Sequence, residues 1–240
     1  MPLVTIDFHN TLFRCDRWFR LEIEELPLAT FAQLQNHMPE RRNGDLSSRA
    51  TAIYREIRQE AVQSGVECDA VTSMVRVVDE LDLDIQPDTV EHAVNLAMFE
   101  TVDEARPLFG AVELVTELGN QGISLAVVSS AAYHPFLEWC LQRYGIRDAF
   151  QHVVTSAACG IYKSDPAIYQ HTLDLFGLHA AEAVHIGDSH RYDVTSASRI
   201  GLSTILLANR PEDDYDPSPD AIISNLGEAP NHLDRLLNRM

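Results

Sequence analysis

Hydrophobic and polar positions change rhythm twice along this chain. Leu3-Val4-Thr5-Ile6 is a short apolar, β-branched run that stops at Asp7, the pattern of a buried strand over residues 3–7. From about residue 14 to 105 the period is helical throughout. Ala50, Ile53, Ile57 and Ala61 share one helical face, as do Val71, Met74, Val75, Val78 and Leu81. A third face, Val90, Val94, Ala97 and Met98, follows the start signal Pro87-Asp88. Pro39, Asn43 and Gly44 predict a loop over His37 to Asp45.

After Arg106-Pro107, helices and strands alternate. The pattern predicts helices over 107–119, 134–144, 166–176 and 193–200. Between them fall strands at Ile123–Val128, Val153-Val154, Ala183–Ile186 and Ser203–Leu207, then a weak strand at Ala221–Ile223 and a terminal helix. Such alternation makes right-handed crossovers, hence an α/β fold whose parallel sheet carries helices on both faces. The first strand belongs to that core, which a helical insert interrupts and which resumes near residue 106. The Asp- and Pro-rich stretch Asn209 to Pro219 reads as a solvated loop.

In an open parallel sheet, ligands bind beyond the carboxyl ends of the strands. Asp7 ends the first strand, Ser129 and Ser130 the second, and Gly187-Asp188 the fourth, while Lys163 lies in the loop after the third. Four loops from separate parts of the chain therefore converge on one edge.

Composition sharpens this picture at one point. The 240 residues contain a single lysine, Lys163, against 17 arginines. A composition so averse to lysine keeps one where a compact ammonium on a flexible stem is needed and a guanidinium does not serve. With Asp7 before it and Asp188 and Asp193 after it, the set suits phosphoryl transfer. The formal charge of −18 argues against a nucleic-acid partner, and it requires any anionic substrate to be held by local positive groups. Cys15, Cys68, Cys140 and Cys159 have no paired spacing and read as reduced thiols. No apolar run approaches 18 residues and no leader pattern precedes Asp7, so a cytoplasmic protein without a membrane span is expected, as a monomer or homodimer.

The motifs resemble those of the haloacid dehalogenase-like hydrolases. They are Asp7-Phe8-His9-Asn10-Thr11-Leu12, then Val127-Val128-Ser129, then Lys163 followed by Ser164-Asp165-Pro166, then Gly187-Asp188-Ser189 with Asp193. Their order, their spacing and the helical insert after the first motif match along the whole chain. The resemblance implies a Rossmann-like core, 1–13 with 106–240, and an all-helical cap, 14–105. It further implies a Mg²⁺-dependent phosphatase acting on a small phosphorylated metabolite. Asp7 would be the nucleophile, forming an aspartyl-phosphate. Asp7, Asp188, the backbone carbonyl of His9 and Asp193 would hold Mg²⁺, whose hard-oxygen preference they suit. Thr11, Ser129, Ser130 and nearby backbone N–H groups would bind the phosphoryl oxygens, and Lys163 would balance the charge on Asp7 and the transferring group.

One departure matters. Phosphatases of the family usually carry a second Asp two residues after the nucleophile, and this chain has His9 there. Histidine can do acid–base work near neutral pH, but an adjacent metal ion disfavours imidazolium. A weakly active or ligand-binding relative is therefore the alternative. A metal-free dehalogenase is disfavoured by Gly187-Asp188, and an insert without lysine excludes Schiff-base chemistry. Arg49, Arg55, Arg58 and Arg76 in the insert are candidates to meet a distal anionic group, and His134, His190 and Tyr192 to line the mouth.

Overall fold

A computed structural model describes residues 2–35, 44–208 and 214–237. The chain enters through β1 (Leu3–Ile6) and reaches β2 (Phe13–Arg14). Helix α1 (Asp16–Arg20) continues through a π-type turn at Leu21–Glu25 into α2 (Leu26–Gln33). Then come α3 (Gly44–Ser64), α4 (Ala70–Glu80) and α5 (Pro87–Phe99). The chain returns at β3 (Arg106–Pro107), followed by α6 (Ala111–Asn120), β4 (Ser124–Ser129), α7 (His134–Arg143), β5 (His152–Thr155) and α8 (Ser156–Cys159). The last part holds α9 (Ala167–Phe176), β6 (Ala183–Gly187), a π-type turn at His190–Thr195, α10 (Ser196–Ser198), β7 (Ser203–Leu207), β8 (Ala221–Ile223) and α11 (Ala229–Leu237).

Six strands form one sheet in the order β5-β4-β1-β6-β7-β8, with every neighbouring pair parallel. Because side chains alternate along a strand, each strand feeds two cores. Leu125 and Val127 join the larger one with Val4, Ile6, Val184 and Ile186, and Ala126 and Val128 join Leu3, Ile168 and Leu173 on the opposite face. Successive connections run from β1 outward to β4 and β5, then cross to β6 on the other side. The carboxyl ends of β1, β4 and β6 thus flank the point where strand order reverses, the crevice such sheets use for ligands.

The predicted strands and most helices are present within one or two residues. Four expectations need correction. Arg14 is not helical, because Phe13–Arg14 pairs antiparallel with Arg106–Pro107 as a two-stranded stalk joining insert to core. The helix expected from 107 starts at Ala111, since Pro107 serves that stalk and Gly110, at φ 83°, turns the chain before it. The helix expected over 193–200 is a π-type turn followed by one short turn of helix. Of the loop expected over 37–45, residues 37–43 lie outside the described residues, and Gly44 and Asp45 open α3 instead. Residues 209–213 of the second expected loop are likewise outside the described residues.

The insert's apolar faces pack as their periodicity requires. Ala50, Ile57, Met74, Val78, Val90, Val94 and Met98 are all buried. Aromatic rings couple insert to core: Trp18 stacks on Phe136 at 4.7 Å and meets Phe8, which stacks on Phe13 at 4.9 Å. A second junction lies between α3 and α4, where Glu67 N–H donates to the Gly160 carbonyl (2.9 Å) and Gly65 accepts from Tyr162 N–H (2.8 Å). Phe136 is fully buried between the two parts. Phe136→Ala is expected to cost about 3–5 kcal/mol in urea unfolding, as large aromatic truncations in packed cores do. A loss below about 1 kcal/mol contradicts that role.

Candidate functional site

Asp7 follows β1 directly, and its N–H is tied to the Ile186 carbonyl of β6 at 2.8 Å. The next residues curl tightly. Asn10 takes φ 59°, a left-handed conformation that Asn tolerates better than most side chains, and its N–H bonds the Phe13 carbonyl at 2.7 Å. That curl brings the Thr11 hydroxyl to donate to Asp7 Oδ2 at 3.3 Å. Lys163 arrives from the loop between α8 and α9. Its backbone N–H donates to Ser130 Oγ (3.1 Å), and its carbonyl accepts from Ser196 Oγ (2.8 Å). So held, its buried ammonium donates to Asp7 Oδ1 at 2.5 Å and to Asp193 Oδ1 at 2.7 Å.

Asp193 is fixed from several sides. Ser189 N–H donates to its Oδ2 (2.8 Å), and His185 Nε2 lies 3.0 Å from its Oδ1. His185 contacts Thr5 Oγ1 through Nδ1 (2.8 Å), and the Tyr169 hydroxyl donates to the Tyr192 carbonyl (2.8 Å) beside them. Gly187 completes the arrangement by lacking a side chain, since a Cβ there would sit 2.2 Å from the Asp193 carboxyl carbon.

The electrostatics follow from this packing. Burial works against the charge of Lys163, but Asp193 and Asp7 outweigh it and hold its pKa at about 12. Burial also opposes the Asp193 carboxylate, yet Lys163 and His185 keep it well below the ordinary range. Asp7 is pushed up to about 6, by burial first and by Asp193, against the pull of Lys163. Asp188 is pushed up to about 7 by burial, Asp7 and Asp193. Asp7, Asp188 and Asp193 can each aim one oxygen so that all three lie within 4.8 Å. Three carboxylates face one ammonium, which leaves two negative charges, the charge of one divalent cation. Among the described residues no ion pair compensates Asp188. The oxygen-only donor set and this uncompensated charge fit a hard cation such as Mg²⁺.

The His9 imidazole packs among aromatic rings. It stacks on Phe19 at 4.2 Å and meets the edge of Trp18 at 6.0 Å. Its Nε2 has no hydrogen-bond partner, and Asp16 lies 4.0 Å away. Burial lowers its pKa to about 4, with Asp16 opposing, so the ring is neutral at ordinary pH.

A cleft of about 260 Å³ is lined by Asp7, His9, Ser129, Ser130, Lys163, Asp188 and Asp193, with Asn10, Trp18, Phe19, Tyr162, Ser189 and Tyr192. Every residue expected at the site from sequence is therefore here, with Thr11 bonded to Asp7 beneath it. The outlying candidates fare differently. Tyr192 lines the cleft, His190 lines a neighbouring cavity beside Asp188, and His134 lies apart, 3.0 Å from Thr155 Oγ1. Arg55 is bonded to Glu24, Arg58 to Glu67, and Arg76 to Glu60 and Glu80, while Arg49 is exposed on α3. The sequence reading missed Trp18, Phe19 and Tyr162, whose placement depends on how insert and core dock. It also missed the His185–Tyr169 support, for which a histidine inside an otherwise apolar buried strand was the available signal.

The chain is similar to known proteins. The family model for haloacid dehalogenase-like hydrolases matches residues 1–201. The chain is 37% identical over 101 residues to the haloacid dehalogenase-like hydrolase domain-containing protein 3 of Bos taurus, covering 42% of this chain and 39% of that protein. It is 25% identical over 169 residues to the glyceraldehyde 3-phosphate phosphatase of Methanopyrus kandleri, covering 70% and 71%. The chain thus spans about two fifths of the length of the first of these relatives and about 70% of the second. The fold is similar to that of the 2-haloacid dehalogenase from Pseudomonas syringae, with a TM-score of 0.70, 21% identity, and 98% and 99% of the two chains covered. With the matched family model spanning all four loops of the cleft, the chain belongs to the haloacid dehalogenase-like hydrolases.

Proposed function

We propose that this hydrolase is a Mg²⁺-dependent phosphatase that releases phosphate from a small phosphorylated metabolite through an aspartyl-phosphate on Asp7. The observation that carries this reading is the buried Lys163 ammonium shared by Asp7 and Asp193, beside the uncompensated Asp188. Similarity to a glyceraldehyde 3-phosphate phosphatase points the same way.

In the first step an Asp7 carboxylate oxygen attacks phosphorus. The new O–P bond forms as the bond to the alcohol oxygen breaks, and that oxygen takes up a proton. In the second step water attacks phosphorus, its proton is removed, and the O–P bond to Asp7 breaks to regenerate the carboxylate and free phosphate. Lys163 holds Asp7 in place and offsets charge on the transferring group. Ser129 and Ser130, with backbone N–H groups of their loop, receive phosphoryl oxygens. Asp7, Asp188, Asp193 and the His9 carbonyl would hold Mg²⁺, which lowers the repulsion between an anionic nucleophile and an anionic ester. The helical insert, 14–105, acts as a cap over the core formed by 1–13 and 106–240, placing Trp18 and Phe19 at the cleft to exclude water.

His9 is the weak acid of this scheme. A neutral imidazole whose Nε2 is buried without a partner, packed against Phe19 and Trp18, donates poorly to a departing alkoxide. That observation favours a second reading, a protein that binds phosphorylated ligands and turns them over slowly. A dehalogenase is the third, and it would need halide release insensitive to chelator.

The primary assay is release of inorganic phosphate from a panel of monoesters, with Mg²⁺ and with chelator. Asp7→Asn is expected to lower turnover by roughly a thousandfold or more; near-wild-type activity removes Asp7 as nucleophile. His9→Asp is expected to raise turnover of alkyl phosphates by about tenfold or more, since a carboxylic acid in that apolar niche can protonate the leaving oxygen. An unchanged or reduced rate on every ester refutes an acid–base place for position 9.

Asp188 links pH to stability. Its folded pKa lies above its unfolded value, so with chelator present the folded state holds a proton that the unfolded chain releases. The contribution of Asp188 to stability is then full below about pH 4 and declines as pH rises to about 7. Asp188→Asn should flatten this decline, melt above the wild type at pH 7.5 in chelator, and lose the stabilisation that Mg²⁺ gives the wild type. A variant still stabilised by Mg²⁺ to the wild-type extent places the ion elsewhere.

A further inference from the structure

A second cavity, of about 360 Å³, opens beside the cleft and shares Phe19, Ser130 and Tyr162 with it. Its far wall is built by the insert. Ile23 and Val62 join the rings of Phe19 and Tyr162 as apolar surface, and Gln59 and Gln63, one turn apart on α3, present amides from one helical face. A phosphoryl group seated at Asp7 and Lys163 would direct its alcohol half here.

The charges around this cavity are already engaged. Arg58 gives both terminal nitrogens to Glu67 and one of them also to the Cys68 carbonyl at 3.0 Å. Arg55 gives Nε and Nη2 to Glu24. Glu22 is a further carboxylate in the wall, where it accepts from the N–H groups of Ala132 and Tyr133, each at 2.9 Å. Each of these two arginines is thus matched by its own carboxylate, and Glu22, whose pKa burial pushes up to about 7, offers no positive charge. A second phosphate or a carboxylate on the substrate would meet no unmatched cation among the described residues lining this cavity, with the Glu22 carboxyl group in its wall. An uncharged alcohol with an apolar face and a hydroxyl or carbonyl would instead cover the rings and aliphatic side chains and reach the two amides.

Resting on the phosphatase reading above, we propose that this cavity selects phosphate monoesters whose alcohol is uncharged and excludes those bearing a second acidic group.

The test compares kcat/KM, with Mg²⁺, for two esters of uncharged alcohols (phenyl phosphate and glyceraldehyde 3-phosphate) and two carrying a second acid (phosphoglycolate and ribulose 1,5-bisphosphate). The uncharged pair is expected to lead by at least about tenfold. Gln59→Arg, at an exposed helical position that accepts arginine, should narrow that ratio by about tenfold by supplying an unmatched cation. A wild-type preference for the acid-bearing pair, or a ratio unmoved by Gln59→Arg, overturns the proposal while leaving the phosphatase reading intact. If none of the four releases phosphate, the phosphatase reading fails on its own, and thermal stabilisation of the wild type by phenyl phosphate against phosphoglycolate decides the cavity. A larger shift with phenyl phosphate then supports its selectivity, and an equal, smaller or absent shift refutes it.

Discussion

The ammonium of Lys163, buried between the carboxylates of Asp7 and Asp193, is the interaction on which the rest of the cleft depends. Taking such charges out of water is costly, and the cost is recovered only with close geometry and further hydrogen bonds. The fold supplies both. Ser130 and Ser196 grip the lysine backbone, Ser189 and His185 grip Asp193, and Thr11 reaches Asp7. A guanidinium is a broad planar fork, whereas an ammonium is a compact point charge on a flexible stem that fits in the narrow space between two buried carboxylates. That difference accounts for one lysine persisting in a chain that otherwise uses arginine.

The sheet makes this interaction possible by bringing distant residues to one edge. Parallel order places the ends of β1, β4 and β6 side by side, so Asp7 and Asp188 arrive on adjacent strands. The insert contributes the other wall. It is tied down at the Phe13–Arg14 stalk, through Trp18 on Phe136, and through the segment between α3 and α4, where Ser156 donates to Glu67 at 2.5 Å. These attachments, with Glu22 accepting from the Ala132 and Tyr133 N–H groups, hold the insert against the rim of the cleft.

His9 shows how a local substitution is absorbed. A carboxylate at this place would meet the Phe19 and Trp18 rings; the imidazole instead spreads its ring on Phe19 and stays neutral. The aromatic neighbours and the histidine suit one another, which explains the site's departure from the usual aspartate as packing as well as chemistry.

Much of this was legible in the residues alone. Short continuous apolar runs, ending in Asp7, Ser129 and Gly187-Asp188, determined the strands, and the alternation with helices determined a parallel sheet, because local pattern and crossover handedness leave few alternatives. The four loops and their converging side chains followed from the rule that strand ends carry the site. Tertiary structure alone decided the partners. Whether Arg55 and Arg58 were free for a ligand depended on Glu24 and Glu67, and those pairings exist only because α3 packs where it does. The stalk at Arg14 and Arg106, the left-handed turn at Gly110 and the burial of His185 behind Asp193 also lie beyond periodicity. Each is set by contacts between residues far apart in the chain, and a one-dimensional pattern records which face a side chain takes, not what it meets there.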